Sequence, residues 1–358
     1  MGWLLHRLRP AWRELTRPVL RRRRIALALQ GGGAFGAFTW GVLDRLLDDE
    51  TIEIETISAA SAGAVNAVVM AMGLANGGRL GAKSALERFW SRISRRGLGS
   101  QGALAFGAAA GVAFDLSSRV LSPYQTNPFD LNPLRDLLAA EIDFAQLRAA
   151  PPLRLLIAAT HVGEGCAQIF RESEISLDVV LASSCLPLLH RAVQIDGESY
   201  WDGGFTANPP LLPLLTSSKA RDVLIVQISP LHDSEPPRTA PRIVRRAAQI
   251  GFGSPLQGEL QALAALAPLY RGPGAMLSPL ARRLNRLRLH RLAAEDEIED
   301  LAHLDPLDLD WSFLQRLCDG GRKSASAWLE RQGGAVDKTP DLRTTGHRNV
   351  TDEQLAGH

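Results

Sequence analysis

Residues 56–67 read TISAASAGAVNA, and both the fold and the chemistry turn on Ser61 within them. A nucleophile elbow is written G-x-S-x-G and sets its serine on a tight turn between a strand and a helix. Here the run is Ala59-Ala60-Ser61-Ala62-Gly63, with the second glycine present and the first replaced by alanine. A serine ahead of an apolar run is equally an ordinary helix N-cap. The flanks bear on the choice. IEIETI (52–57) has the character of a strand, and AGAVNAVVMAMGLA (62–75) reads as a tightly packing helix of small residues.

The same strand-turn-helix order occurs once earlier. IALAL (25–29) is a continuous apolar run suited to a parallel strand buried on both faces. QGGGAFG (30–36) follows, and AFTWGVLDRLLDD (37–49) carries its apolar residues on one helical face. Two such units in succession between Ile25 and Ala75 predict an α/β fold with a mostly parallel central sheet. Further strands are expected at 153–160, 166–170, 192–195 and 223–229, with mostly helical sequence over 75–150 and again over the Leu/Arg/Ala-rich 255–331. No repeat and no linker interrupts the chain. The expectation is one domain: a core over 25–230 and a helical C-terminal part over 231–331, flanked by a basic arm (1–24) and a polar tail (332–358).

Gly31-Gly32-Gly33-Ala34-Phe35-Gly36 satisfies G-x-G-x-x-G after a strand and before a helix. Glu55 follows near the end of the second strand, where a dinucleotide fold would hold its ribose-binding acid. The same glycines would equally let backbone N–H groups meet the oxyanion of a tetrahedral acyl intermediate. The loop alone leaves both open. A dinucleotide domain, however, gives no reason for Ser61 and Gly63 directly after the second strand, nor for SYWDGGFTANPP at 199–210.

Taken in order, the glycine loop, the Ser61 run and Asp202-Gly203-Gly204 resemble the motifs of the patatin-like phospholipases. ASSCLPLL (182–189) and WDGGFTANPP match as well, and the resemblance covers residues 25–230 most strongly. It implies a single-domain, three-layer α/β fold with helices on both faces of the sheet. It also implies a Ser-Asp dyad: Ser61 as nucleophile, Asp202 as its base, and the N–H groups of Gly31, Gly32 and Gly33 as oxyanion hole. Gly36, Ala59, Gly63, Gly203 and Gly204 would support the loop, the elbow and the turn. The implied substrate is a lipid ester (phospholipid, lysophospholipid or acylglycerol), and no cofactor is called for. Two alternatives stay open: a weakly active lipid-binding or regulatory protein on this scaffold, and a dinucleotide-dependent oxidoreductase.

Other features are weighed against this reading. Asp196-Gly197 and Asp319-Gly320-Gly321 copy part of the Asp202 motif, and the latter is expected to end one helix and start another. His161 and His190 fall inside the resembling region, but a dyad needs neither. Ala59 adds one methyl to the elbow and is tolerated unless its backbone must be left-handed.

A net charge of +2 gives no basis for nucleic-acid binding, and 46% hydrophobic with 22% charged residues describes a globular chain. Cys166, Cys185 and Cys318 form neither a disulfide framework nor a zinc pattern, and no metal-ligand spacing occurs. Residues 1–24 hold eight arginines and one acid, with Leu4, Leu8, Trp12 and Leu15 at helical spacing broken by Pro10. That arm suits the surface of an anionic membrane, or else a solvated extension. The apolar stretch 102–116 is too short to span a bilayer, and reads as a loop or helix over a site. With no signal-peptide core, the expectation is a cytoplasmic protein in peripheral contact with the inner face of the membrane. Protein partners are not legible from the sequence.

Overall fold

The computed structural model describes residues 22–99, 122–127, 129–233, 235–268 and 278–333. Nearly all of the basic arm, the apolar stretch 102–116 and all but the start of the polar tail therefore lie outside the described residues.

The first strand, β1 (Arg23–Leu29), lies in the interior of the sheet. Its residues Ile25 to Leu29 are wholly buried, as an unbroken apolar run requires. Parallel neighbours close both its edges: β2 (Ile52–Ala60) on one side and β7 (Asp222–Gln227) on the other. Beyond β2 come β3 (Arg154–His161), with β4 (Cys166–Arg171) antiparallel to it, and the antiparallel pair β5 (Val193–Ile195) and β6 (Glu198–Asp202). Beyond β7 lies β8 (Arg288–Ala293), giving the order β5-β6-β3-β2-β1-β7-β8.

Alternation along β1 sets the three layers. Ile25, Leu27 and Leu29 pack with helices α1 (Gly36–Asp48), α2 (Ala62–Gly99) and the C-terminal helix α8 (Trp311–Gly333). Ala26 and Ala28 face the opposite layer, α6 (Leu211–Ser217) and α7 (Ala240–Ala265). Between α2 and α6 the chain adds α3 (Pro133–Glu141), α4 (Phe144–Ala149) and α5 (Leu177–Ser183). Each fully buried Leu or Ile here stabilises the fold by about 1.5–3 kcal/mol. The protein is thus a mixed α/β fold with a mostly parallel sheet between helical layers. No helix among the described residues is long and apolar enough to cross a membrane.

Two expectations are corrected. The stretch 255–331 is not helical throughout, because β8 pairs in parallel with β7 from Arg288 to Ala293. Its sequence, RLHRLA, has no β-branched residue, so pairing with an existing sheet edge overrides a weak local preference. Asp319-Gly320-Gly321 does not mark a helix boundary but lies inside α8. There Gly321 faces the backbone of Phe38 on α1, and a Cβ would sit 2.1 Å from the Phe38 carbonyl oxygen.

At the amino-terminal edge of the parallel strands, buried Asp222 draws three bases together. Arg23 Nε donates to it at 2.9 Å with Nη2 at 2.6 Å, Arg288 Nη2 donates at 3.0 Å, and His290 Nε2 lies at 2.8 Å. Burial alone would push its carboxyl pKa up, but the His290 and Arg23 hydrogen bonds and the charges of Arg23 and Arg288 outweigh it, holding the carboxyl well below the usual range.

Candidate active site

The opposite edge of the sheet is built around a register step on β3. Ala158 pairs with Ala60, the last residue of β2, and the next residue, Ala159, pairs with Asp202, the last residue of β6. The turn after β2 and the end of β6 therefore meet at one point. Ser61 occupies that turn with φ 51°, and α2 starts at Ala62. A left-handed serine between strand and helix is the strained geometry an elbow needs. Its N–H is held by Ser183 Oγ at 2.9 Å, at the end of α5.

Ser61 Oγ donates to Asp202 Oδ2 at 2.7 Å. Asp202 is fully buried, and its surroundings fix it on every side. Oδ1 accepts from Gly204 N at 2.7 Å, its carbonyl accepts from Thr160 Oγ1 at 2.7 Å, and its own N–H donates to the Cys185 carbonyl at 2.8 Å. No cation is among these partners. Desolvation pushes the Asp202 pKa up to about 7, against smaller lowering by the Ser61 and Gly204 hydrogen bonds. A carboxylate so placed can take a proton from the serine near neutral pH.

The position of Ala59 answers the question its methyl raised. It is a regular ladder residue of β2, opposite Leu29 and Ile157, and is not among the positive-φ residues. The left-handed turn falls on Ser61 itself, so alanine fits at 59 without strain. Gly63 lies where a Cβ would come within 2.3 Å of the Leu29 carbonyl oxygen, which ties the start of α2 to the end of β1.

The glycine loop packs directly on the elbow, since a Cβ on Gly31 would sit 2.5 Å from Ser61 Cβ. Its three backbone N–H groups are not equivalent. That of Gly31 donates to Asn208 Oδ1 at 2.6 Å, whereas no acceptor among the described residues meets those of Gly32 and Gly33. Ala34 N is taken by the Pro306 carbonyl at 2.7 Å. Asn208, which the sequence reading passed over, also donates through Nδ2 to the Gly31 carbonyl at 3.3 Å and to the Phe252 carbonyl on α7 at 3.0 Å. It thus joins the glycine loop to the far helical layer. Gly36 opens α1, while Gly203 and Gly204 form the turn that Asp202 caps.

A cavity of about 380 Å³ opens onto Ser61. Its walls are mostly apolar: Val65, Phe89, Trp90 and Ile93 from α2, Phe252 from α7, and Leu307 and Leu309 from the loop before α8. Among the described residues, the ionisable side chain on its lining is Arg245. The space suits a hydrocarbon chain with a reactive end at the serine.

The other candidates lie elsewhere. Asp196 and Gly197 form the left-handed turn between β5 and β6. His161 meets Glu198 at 3.1 Å and the edge of Tyr200, and neither it nor His190 bonds to Ser61 or Asp202. Glu55 accepts from Lys219 N at 2.7 Å, five residues before the end of β2 and so about 16 Å of strand from the glycine loop. That is no place for a ribose-binding acid. Among the described residues, no group of His, Cys, Asp or Glu is arranged to hold a metal.

The patatin-like phospholipase family model matches residues 27–215, a span that includes Ser61, Asp202 and Asn208. Among solved structures the chain is similar to VipD from Legionella pneumophila, at 16% identity and TM-score 0.44, covering 87% of this chain and 67% of that one. It is also similar to the heterodimeric complex ExoU-SpcU from the type III secretion system of Pseudomonas aeruginosa, at 17% identity and TM-score 0.31, covering 90% of this chain and 74% of that one. No curated protein sequence matches.

Proposed function

Because this chain belongs to the patatin-like phospholipase family, we propose that it hydrolyses lipid esters through a Ser61–Asp202 dyad. The observation that carries the reading is the 2.7 Å hydrogen bond from Ser61 Oγ to a buried carboxylate with no cation beside it. Asp202 takes the hydroxyl proton as Ser61 Oγ attacks the ester carbonyl carbon. The oxyanion that forms is met by the free N–H groups of Gly32 and Gly33, helped by the N-terminal dipole of α2. Gly31 instead holds the loop in place through Asn208. Collapse of the intermediate expels the alcohol, which leaves with the proton Asp202 had taken, and an acyl-Ser61 ester remains. Asp202 then deprotonates a water that attacks this ester, and the fatty acid departs as Ser61 regains its proton.

Labelling by a fluorophosphonate probe, together with turnover of an ester panel, tests the proposal. Both are expected in the wild type and lost in Ser61→Ala and Asp202→Asn. A wild type that binds lipid vesicles yet neither labels nor turns over would identify a lipid-binding protein instead. We further propose that the basic arm draws the enzyme to anionic membranes. Deleting residues 1–21, which leaves Arg23 in β1 and on Asp222, is then expected to weaken binding to phosphatidylglycerol vesicles.

A further inference from the structure

A second, polar recess of about 270 Å³ adjoins the acyl cavity, and Arg245 and Gln249 line both. Its other walls are Arg242 and Arg246 on the same helix, with Asp233, Ala302 and His303 opposite. Residues 242, 245, 246 and 249 recur at i, i+3, i+4 and i+7, so α7 presents one cationic stripe to this space.

The charges do not balance within it. Among the described residues Asp233 is the one carboxylate lining the recess, and it is shared between His303 Nε2 at 3.2 Å and Arg242 Nη2 at 3.9 Å. Arg245 donates to the His303 carbonyl at 2.7 Å, and Arg246 donates to the carbonyls of Leu231 and Pro230 and to Gln249. Neither pairs with a carboxylate among the described residues. Three guanidinium groups thus face one carboxylate beside a cavity that is otherwise apolar. Clustered guanidinium forks bind phosphate by short, charge-assisted hydrogen bonds.

We propose that Arg242 and Arg245 form a subsite that holds the headgroup phosphate of the lipid substrate and so set the preference for phosphate-bearing over neutral esters. The proposal rests on the hydrolase reading above. The acyl chain fills the apolar cavity, the ester carbonyl meets Ser61, and the phosphate turns into the recess where Arg245 bounds both spaces. The competing role for these two arginines is to tie Asp233 and His303 to α7.

The test compares two substrates with one acyl chain, lauroyl lysophosphatidate and monolauroylglycerol, both kept below their micelle concentrations. In an Arg242→Gln/Arg245→Gln double variant, the ratio of kcat/KM for the phosphate substrate over the neutral one should fall about tenfold or more, mainly through KM. An unchanged ratio, or equal losses on both substrates, would overturn the subsite and leave the arginines a loop-holding role. A calorimetric titration of lauroyl lysophosphatidate into Ser61→Ala protein reads binding without turnover. Its Kd should rise about tenfold when the two arginine changes are added. If this binding holds while wild type cleaves neither lipid, the hydrolase reading fails and the subsite stands. Inorganic phosphate separates the two sources of the anion. Arginine-dependent competition against lysophosphatidate alone supports a headgroup site, whereas arginine-dependent change in monolauroylglycerol turnover would mark a site for free anion and defeat the proposal.

Discussion

Asp202 and Asp222 are both buried aspartates at strand ends of one sheet, yet their chemistry is opposite. Asp222, at the amino-terminal edge, has two arginines and a histidine on its oxygens and stays ionised far into acid. Asp202, at the carboxyl-terminal edge, has a hydroxyl and one amide, and burial lifts it to about 7. Burial is common to both; the neighbouring cations decide which carboxylate is held ionised and which is free to serve as the base we propose.

Exchanging each aspartate for asparagine tests this contrast most severely. Asp202→Asn is expected to lower turnover by about 10³–10⁴-fold, and Ser61→Ala by at least as much, while the thermal midpoint is kept or raised because a buried carboxylate is gone. Asp222→Asn should do the reverse. Urea unfolding should show a loss of about 2–3 kcal/mol, reduced from a fully buried case because Arg23 and Arg288 are partly exposed, with turnover changed less than threefold. If Asp202→Asn stayed active, or Asp222→Asn lost activity while folded, the division of labour between the two edges would be wrong.

pH separates them next. The kcat/KM profile should climb with pH as Asp202 ionises, half-maximal near 7, so that activity at pH 5 is about 100-fold below the plateau. The stability effects have opposite signs. The folded pKa of Asp202 is raised, so its contribution favours the fold in acid and is lost as pH rises from about 4 to about 7. The folded pKa of Asp222 is depressed, so its contribution is present above about 4 and is lost as pH falls below that. Urea titrations of wild type and the two asparagine variants across pH 3–8 would show both limbs.

Smaller effects sharpen the picture of the catalytic edge. Asn208→Ala removes the clamp on Gly31 and should cut kcat about 10-fold or more with little change in KM, since in the proposed mechanism the loop it steadies meets the oxyanion. Ala59→Gly should be nearly silent in turnover, within twofold, while costing about 0.5–1 kcal/mol of stability as a glycine inside a strand. A large gain in rate would mean that the alanine does constrain the elbow.

The strand-turn-helix around Ser61 was legible because its signals are local: an apolar strand, a small-residue turn and a periodic helix follow one another directly in the chain. Asp202 stood out through the order of motifs that carries the family resemblance and not through its Asp-Gly-Gly triplet, which Asp319 repeats inside a helix. Asn208 was not, because its role appears only when residues 177 positions apart in the chain meet at Gly31. Nor was the unequal standing of the three glycine N–H groups, which depends on that partner. No motif marks the arginine stripe of α7 in the sequence, and only folding brings His303 and the apolar cavity against it. β8 was missed because its pairing comes from β7 rather than from its own residues.

The position of β1 bears on how the chain is made. β1 is the first described strand to leave the ribosome, yet Arg23 meets Asp222 on β7 across 199 residues of sequence. The matched span 27–215 ends before β7 begins, so a nascent chain of that length carries the elbow and Asp202 but leaves β1 as an open edge. Such an edge is a template for unwanted pairing until β7 emerges and closes it. A closed sheet around the proposed dyad thus waits on a strand that supplies neither of its residues, and fragments ending near 215 should need a chaperone or precipitate.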